Sequence, residues 1–157
     1  MATWQQFNDD SPQLATVVRA RFESTRHHVL GTARLDGSPR VSGTEVDRFG
    51  PDLVIGSMPG AVKALDLRRD GRFALHANPG DGSMSAPDAK IAGEAIEVLG
   101  DEHADWVARV QPPSAESHLF RLDITEAVTT EVGADEQHLL IKMWRPDRGV
   151  IAFKRYG

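Results

Sequence analysis

The spacing of apolar positions changes near residue 26. Before that point, Leu14, Val17, Val18 and Phe22 recur at helical intervals and form one apolar stripe. Ser11-Pro12 supplies an N-cap followed by proline at the first helical position, so the spacing predicts a helix from there to about Arg26. Beyond it the pattern alternates or runs short and apolar. "HHVLGTARLDG" reads as a strand with Asp36-Gly37 as its hairpin turn, and "PRVSGTEVD" as the returning strand. Phe49-Gly50-Pro51-Asp52 turns the chain into "LVIGSM", a short apolar strand. A helix is expected over about Ala61–Asp70, followed by the strand "RFALHAN". Pro79–Asp88 is a polar loop, a crossing or a lid. "KIAGEAIEVL" is another strand, in which Gly93 marks a bulge. Asp101–Val110 reads as a short helix packing Trp106, Val107 and Val110 inward. "HLFRLDITEAVTTEV" is the longest strand, "QHLLIKMW" pairs back onto it, and Gly149–Gly157 is an edge segment. About six strands, mostly hairpin-linked, with two or three short helices favour an antiparallel barrel over a βαβ fold.

Composition narrows the picture. A chain of 157 residues fits one domain, with 1–26 as a helical segment and 27–157 as the barrel. The absence of cysteine removes disulfides, thiolate zinc sites and thiol nucleophiles. A net charge of −5 argues against a nucleic-acid partner, which requires a basic face. No apolar run approaches the ~20 residues of a membrane span. "MATWQQFNDD" has neither a basic start nor an apolar stretch, so the expected location is the cytoplasm. His27 and His28 point to opposite faces of a strand and no H-E-x-x-H pattern occurs, so no metal site is expected.

The most informative stretch is "GSMPGAVKALDLRRDGRFALH", Gly56 to His76. A strand breaks at Ser57, Pro59 and Gly60, and Lys63 follows in the first turn of a helix. A helix N-terminus carries unpaired N–H groups and partial positive charge, so adding the Ser57 hydroxyl and the Lys63 ammonium completes an anion cradle. A capped helix with an exposed lysine has the same sequence, and the segment alone leaves both open. In "PRVSGTEV", Arg40, Ser42 and Thr44 share one face while Val41, Gly43 and Glu45 share the other. The polar row is either a solvent-facing strip or a track along a ligand.

Taken together, "LGTARLDGSPRVSGTEV", "LVIGSMPGAVKALDLRRDGRFALHA", "DAKIAGEAIEV", "HLFRLDITEAVTTEV" and "LLIKMWRPDRG" resemble the pyridoxamine 5′-phosphate oxidase-like family. The resemblance is strongest to its actinobacterial flavin/deazaflavin oxidoreductases, over nearly all of the chain after residue 25. It implies a six-stranded antiparallel split β-barrel of the FMN-binding type, working as a homodimer with a flavin-type cofactor at the subunit interface. Carried over by position, it implies phosphate contacts from Arg40, Ser57 and Lys63. Ser42, Gly43 and Thr44 would flank the ring system, with Ile55, Gly56 and Met58 from the following strand. Trp144 would be either a contact from the partner subunit or a barrel core residue. True pyridoxamine phosphate oxidases carry a lysine where this chain has Glu45, so vitamin B6 oxidation itself is not expected.

The resemblance thus implies an oxidoreductase that binds the deazaflavin F-420 or FMN and moves a hydride to or from a small organic substrate. The cofactor supplies the chemistry, so no side chain is assigned as acid or base. A pocket closed partly by the Pro79–Asp88 loop would hold the substrate. The alternative is a carrier that binds F-420, FMN or haem without turnover.

Overall fold

Thirteen elements arise from the alternation of period. In the computed structural model, which describes residues 1–157, they are α1 (Trp4–Asp10), α2 (Pro12–Glu23), β1 (His27–Ala33), β2 (Pro39–Glu45), β3 (Asp47–Phe49), β4 (Asp52–Ser57), α3 (Val62–Arg69), β5 (Arg72–His76), β6 (Asp88–Glu97), α4 (Gly100–Val110), β7 (His118–Val132), β8 (His138–Arg145) and β9 (Gly149–Tyr156). All ladders are antiparallel, in the order β2-β1-β5-β6-β7-β4-β3, and β7 also pairs β8, which pairs β9.

This is a mainly β architecture of nine strands rather than about six, and no ladder closes it into a barrel. The surplus has a local cause. The chain between the second and third expected strands bends at Val46 and forms the three-residue β3, which hairpins onto β4 through Gly50-Pro51. The C-terminal edge segment is a full strand pairing β8 over its whole length. Because β2 and β3 are consecutive in the chain yet stand at opposite ends of the order, the sheet must curl until its ends meet near Val46. β2 therefore lies beside β4 across a seam without a ladder.

Register is pinned at Gly93. A shift of pairing occurs between Ala92 and Gly93, and a Cβ there would come within 1.8 Å of the Asp123 carbonyl oxygen. The expected bulge is thus present and only glycine fits it.

The helical segment differs from expectation. α2 ends at Glu23, before Arg26, and Ser11 stands at its N-cap without a side-chain hydrogen bond. An additional helix, α1, precedes it, opened by a capping box in which Gln6 N–H donates to Thr3 Oγ1 and Thr3 N–H donates to Gln6 Oε1. Both helices plug the curled sheet. Trp4, Phe7, Leu14, Val18 and Phe22 join Leu30, Leu75, Ile91, Phe120, Leu122 and Trp144 in one core. Phe7 is fully buried, its ring 4.6 Å from that of Trp144, whose Nε1 donates to Asp10. No helix is long and apolar enough to cross a membrane.

The α1 plug gives a stability test. Phe7→Ala should lower unfolding free energy by about 3–5 kcal/mol through lost transfer energy and an unfilled cavity. Urea denaturation checks this, and a loss under ~1 kcal/mol would mean α1 is not part of the cooperative core.

Candidate functional site

β4 is buried along its first four residues and emerges at Gly56-Ser57, where the chain turns through Met58, Pro59 and Gly60 into α3. Gly60 adopts φ +71°, a backbone conformation that glycine supplies without strain. No side chain caps α3, so its first turn is open to an external acceptor.

A chain of hydrogen bonds holds this turn in place. Gly60 N–H donates to His118 Nε2 at 3.1 Å, which leaves the imidazole proton on Nδ1 to donate to Glu97 Oε1 at 3.0 Å. Glu97 also receives a two-pronged contact from Arg68, at 2.8 and 2.7 Å. The Arg68 hydrogen bonds outweigh burial and, with that of His118, bring the Glu97 carboxyl from 4.5 down to about 2. A second cluster centres on Asp66, whose side chain is buried. Asp66 accepts from Thr32 Oγ1 at 2.8 Å, Arg40 Nε at 2.7 Å and Arg69 at 2.9 Å. Burial pushes its carboxyl up, but the donors from Arg40, Thr32 and Arg69 hold it below its usual value.

A groove of about 1220 Å³ follows the seam. One wall is the end of β2 with β3, the floor is β4, and the far wall is Trp106 with the Gln111–Ser114 loop. Lys63 reaches across from α3 and donates Nζ to the Gly43 carbonyl at 2.8 Å, a group on the edge of β2 that no strand pairs. Burial lowers the Lys63 ammonium, and Glu45 pulls it the other way. Ser57 Oγ is buried beside the groove with no hydrogen-bond partner.

Six of the ten residues singled out in the sequence line this groove: Gly43, Thr44, Gly56, Ser57, Met58 and Lys63. The other four do not. Arg40 is turned to Asp66 rather than to a phosphate. Ser42 lies with Arg40 on the more buried face of β2 and does not reach the groove. The Arg40-Ser42-Thr44 row is therefore not a solvent-facing strip; Val41 is the outward residue, 72% exposed. Ile55 points into the core. Trp144 is 1% exposed and enclosed by its own chain, which removes it as a contact across an interface. The Pro79–Asp88 loop does not border the groove either, and Asp88 instead pairs with Arg21 of α2 at 3.2 Å. His118, Glu97 and Pro112-Pro113 have no signal in the sequence reading, which places Trp106 only as an inward-packing residue. Arg68 and Arg69 are held by Glu97 and Asp66.

No family model and no curated protein matches the sequence. Solved structures do match the fold. PhzG from Burkholderia lata 383, solved in complex with tetrahydrophenazine-1-carboxylic acid, is similar over 98% of this chain and 93% of its own, with a TM-score of 0.67 and 14% identity. A pyridoxamine 5′-phosphate oxidase-related, FMN-binding protein from Nostoc punctiforme PCC 73102 is similar over 94% of this chain and 97% of its own, with a TM-score of 0.64 and 14% identity. A heme-binding protein from Mycobacterium smegmatis is similar over 92% and 87%, with a TM-score of 0.58 and 14% identity. The fold is thus that of the pyridoxamine 5′-phosphate oxidase-like proteins.

The Glu97 cluster predicts a pH signature. A depressed carboxyl stabilises the fold fully above its unfolded pKa near 4.5, and that contribution disappears as pH falls through about 2. Wild type should therefore be more stable than Glu97→Gln at pH 6–7, with the gap closing between about pH 4.5 and pH 2. Denaturation midpoints measured across that range test it; a pH-independent gap would contradict the ion-pair assignment.

Proposed function

We propose that the seam groove binds a phosphorylated flavin-type cofactor and that the protein is an oxidoreductase. The cofactor would be F-420 or FMN, and the reaction a hydride transfer to or from a small organic substrate. The observation that carries this reading is the orphaned Ser57 Oγ on the groove that Lys63 also lines, a cation in no ion pair, at the uncapped start of α3. A phosphate would satisfy all three together. Arg40 is committed to Asp66, so Lys63 would supply the principal positive charge at that seat.

When bound, the cofactor supplies the hydride chemistry. The chain supplies position and exclusion of water. Gly43 and Thr44 form one edge of the ring site, Gly56 and Met58 its floor and mouth, and the Gly60–His118–Glu97–Arg68 chain fixes the phosphate turn. No side chain is assigned as a proton donor. The cytoplasmic location and the actinobacterial deazaflavin branch belong to this reading.

A homodimer is part of the same proposal. Val29 and Val41 lie on the outer face of β1 and β2, where Val41 opposes Gly31 and Val29 opposes Gly43, giving a smooth apolar surface beside the groove. A carrier without turnover is the second reading, favoured by the likeness to a heme-binding protein. His27 is the histidine that lines the groove and the one available as an axial ligand there.

Lys63→Ala should weaken cofactor binding by about 1.5–3 kcal/mol, roughly ten- to a hundredfold in Kd. Fluorescence titration with FMN and with F-420 measures it, and an unchanged Kd for both removes Lys63 from the phosphate seat. A Soret band with haem, and none of the expected affinity for either flavin-type cofactor, would favour the carrier. In sedimentation, wild type should run as a dimer and Val41→Glu should shift it toward monomer. A wild-type monomer that binds cofactor fully would refute the dimer.

A further inference from the structure

The groove has a second set of unmet donors, far from Ser57. Trp4 is 4% exposed and lines the groove, yet no acceptor of the protein reaches its Nε1. The Nε of Arg19, another lining residue, is also buried and unpaired. The two belong together, since the Arg19 guanidinium lies over the Trp4 ring, 5.8 Å from its centroid. The remaining Arg19 contact is a hydrogen bond to the neutral Asn8 Oδ1 at 3.0 Å. The other arginines of the groove are neutralised, Arg26 by Glu45 at 2.9 Å and Arg48 by Glu23 at 3.7 Å. Arg19 has no such partner, so its charge is uncompensated where the Trp4 N–H is unsatisfied.

Burying donors without acceptors is destabilising. A charge-bearing acceptor with two oxygens would relieve both at once: one oxygen facing the guanidinium and one facing the indole N–H. Position matters as well. Gln5 N–H donates to the Pro51 carbonyl at 2.9 Å, which sets the first turn of α1 at the start of β4. Ser57 and Lys63 stand at its other end. From Asp52 to Ser57 the strand advances about 17 Å.

We propose that the Trp4–Arg19 end of the groove is a carboxylate-binding position, at the opposite end of β4 from the phosphate seat. It recognises the carboxylate of whatever lies in the groove, whether the acidic tail of a deazaflavin or the acid group of an organic substrate. The Arg19 side chain yields to admit the oxygens, and the Trp4 N–H, which lies within the wall, gains the acceptor it lacks. The proposal rests on the groove being the ligand site, but not on which cofactor occupies it.

The test uses the full chain and four probes: F-420, FMN, 2-naphthoate and 2-naphthamide. Trp4→Phe removes the N–H and keeps an aromatic ring; Arg19→Gln removes the charge, and Arg19→Lys restores it. Arg19→Gln should raise the Kd of F-420 or of 2-naphthoate about tenfold, and Trp4→Phe several-fold. FMN and 2-naphthamide should change less than about twofold, and Arg19→Lys should recover part of the loss. A loss confined to F-420 assigns the position to the cofactor tail, and one confined to 2-naphthoate assigns it to the substrate. Unchanged affinities for both carboxylates, no binding of either by wild type, or an equal loss for FMN would overturn the proposal. Lys63→Ala separates the two readings. If it leaves FMN and F-420 binding untouched while 2-naphthoate still depends on Arg19, the phosphate seat fails and the carboxylate position stands.

Discussion

The edge of β2 that faces away from β1 has no strand to bond, because the chain bends at Val46 and returns to β4 as β3. An open edge leaves backbone donors and acceptors exposed and is usually covered, charged or kept short. Here the Gly43 carbonyl on that edge is met by Lys63. The seam is thereby held at a width that a strand would have closed, and the groove exists because the ladder stops there. The site residues on either wall inherit their spacing from this one interruption.

Two charge clusters keep the seam from drifting. Asp66 ties α3 to β1 and β2 through Thr32 and Arg40, while Glu97 ties it to β6 and β7 through Arg68 and His118. The short helix is therefore anchored to both halves of the sheet, and the turn at its start has little freedom to move. That arrangement suits a seat for an anion, where donors should be fixed before the ligand arrives. It also explains why α3 is so rich in charge: Arg68, Arg69 and Asp66 brace the helix rather than solvate it.

Much of this was readable in the sequence, for reasons that differ by residue. The hairpin at Asp36-Gly37, the bulge at Gly93 and the helix after Gly60 are local signals, and each is present. α1 was missed because "WQQFNDD" carries only two large apolar side chains, although Thr3 and Gln6 spell a capping box. Alternation placed Arg40, Ser42 and Thr44 on one face but could not say that this face turns inward while Val41 turns out. The Arg40–Asp66 pair spans 26 residues of sequence, and no spacing rule links such positions. Trp144 was ambiguous for the same reason, since its neighbours Phe7 and Asp10 come from the far end of the chain. The groove itself was only half visible: its floor is one contiguous segment, its walls are brought together by the curl of the sheet.

Residues of α1 and α2 both plug the curled sheet and border the groove, so recognition and folding share side chains there. Trp4 packs edge-on against Phe7, and Phe7 leans on Trp144, so a contact made at this end of the groove is transmitted straight into the hydrophobic interior. Evolution cannot freely vary this end of the cleft to suit new molecules, because each exchange also disturbs the plug. Diversification among proteins built on this plan is expected to fall instead on the opposite wall, at Gln111–Ser114, where a surface loop can change its shape and leave the interior alone.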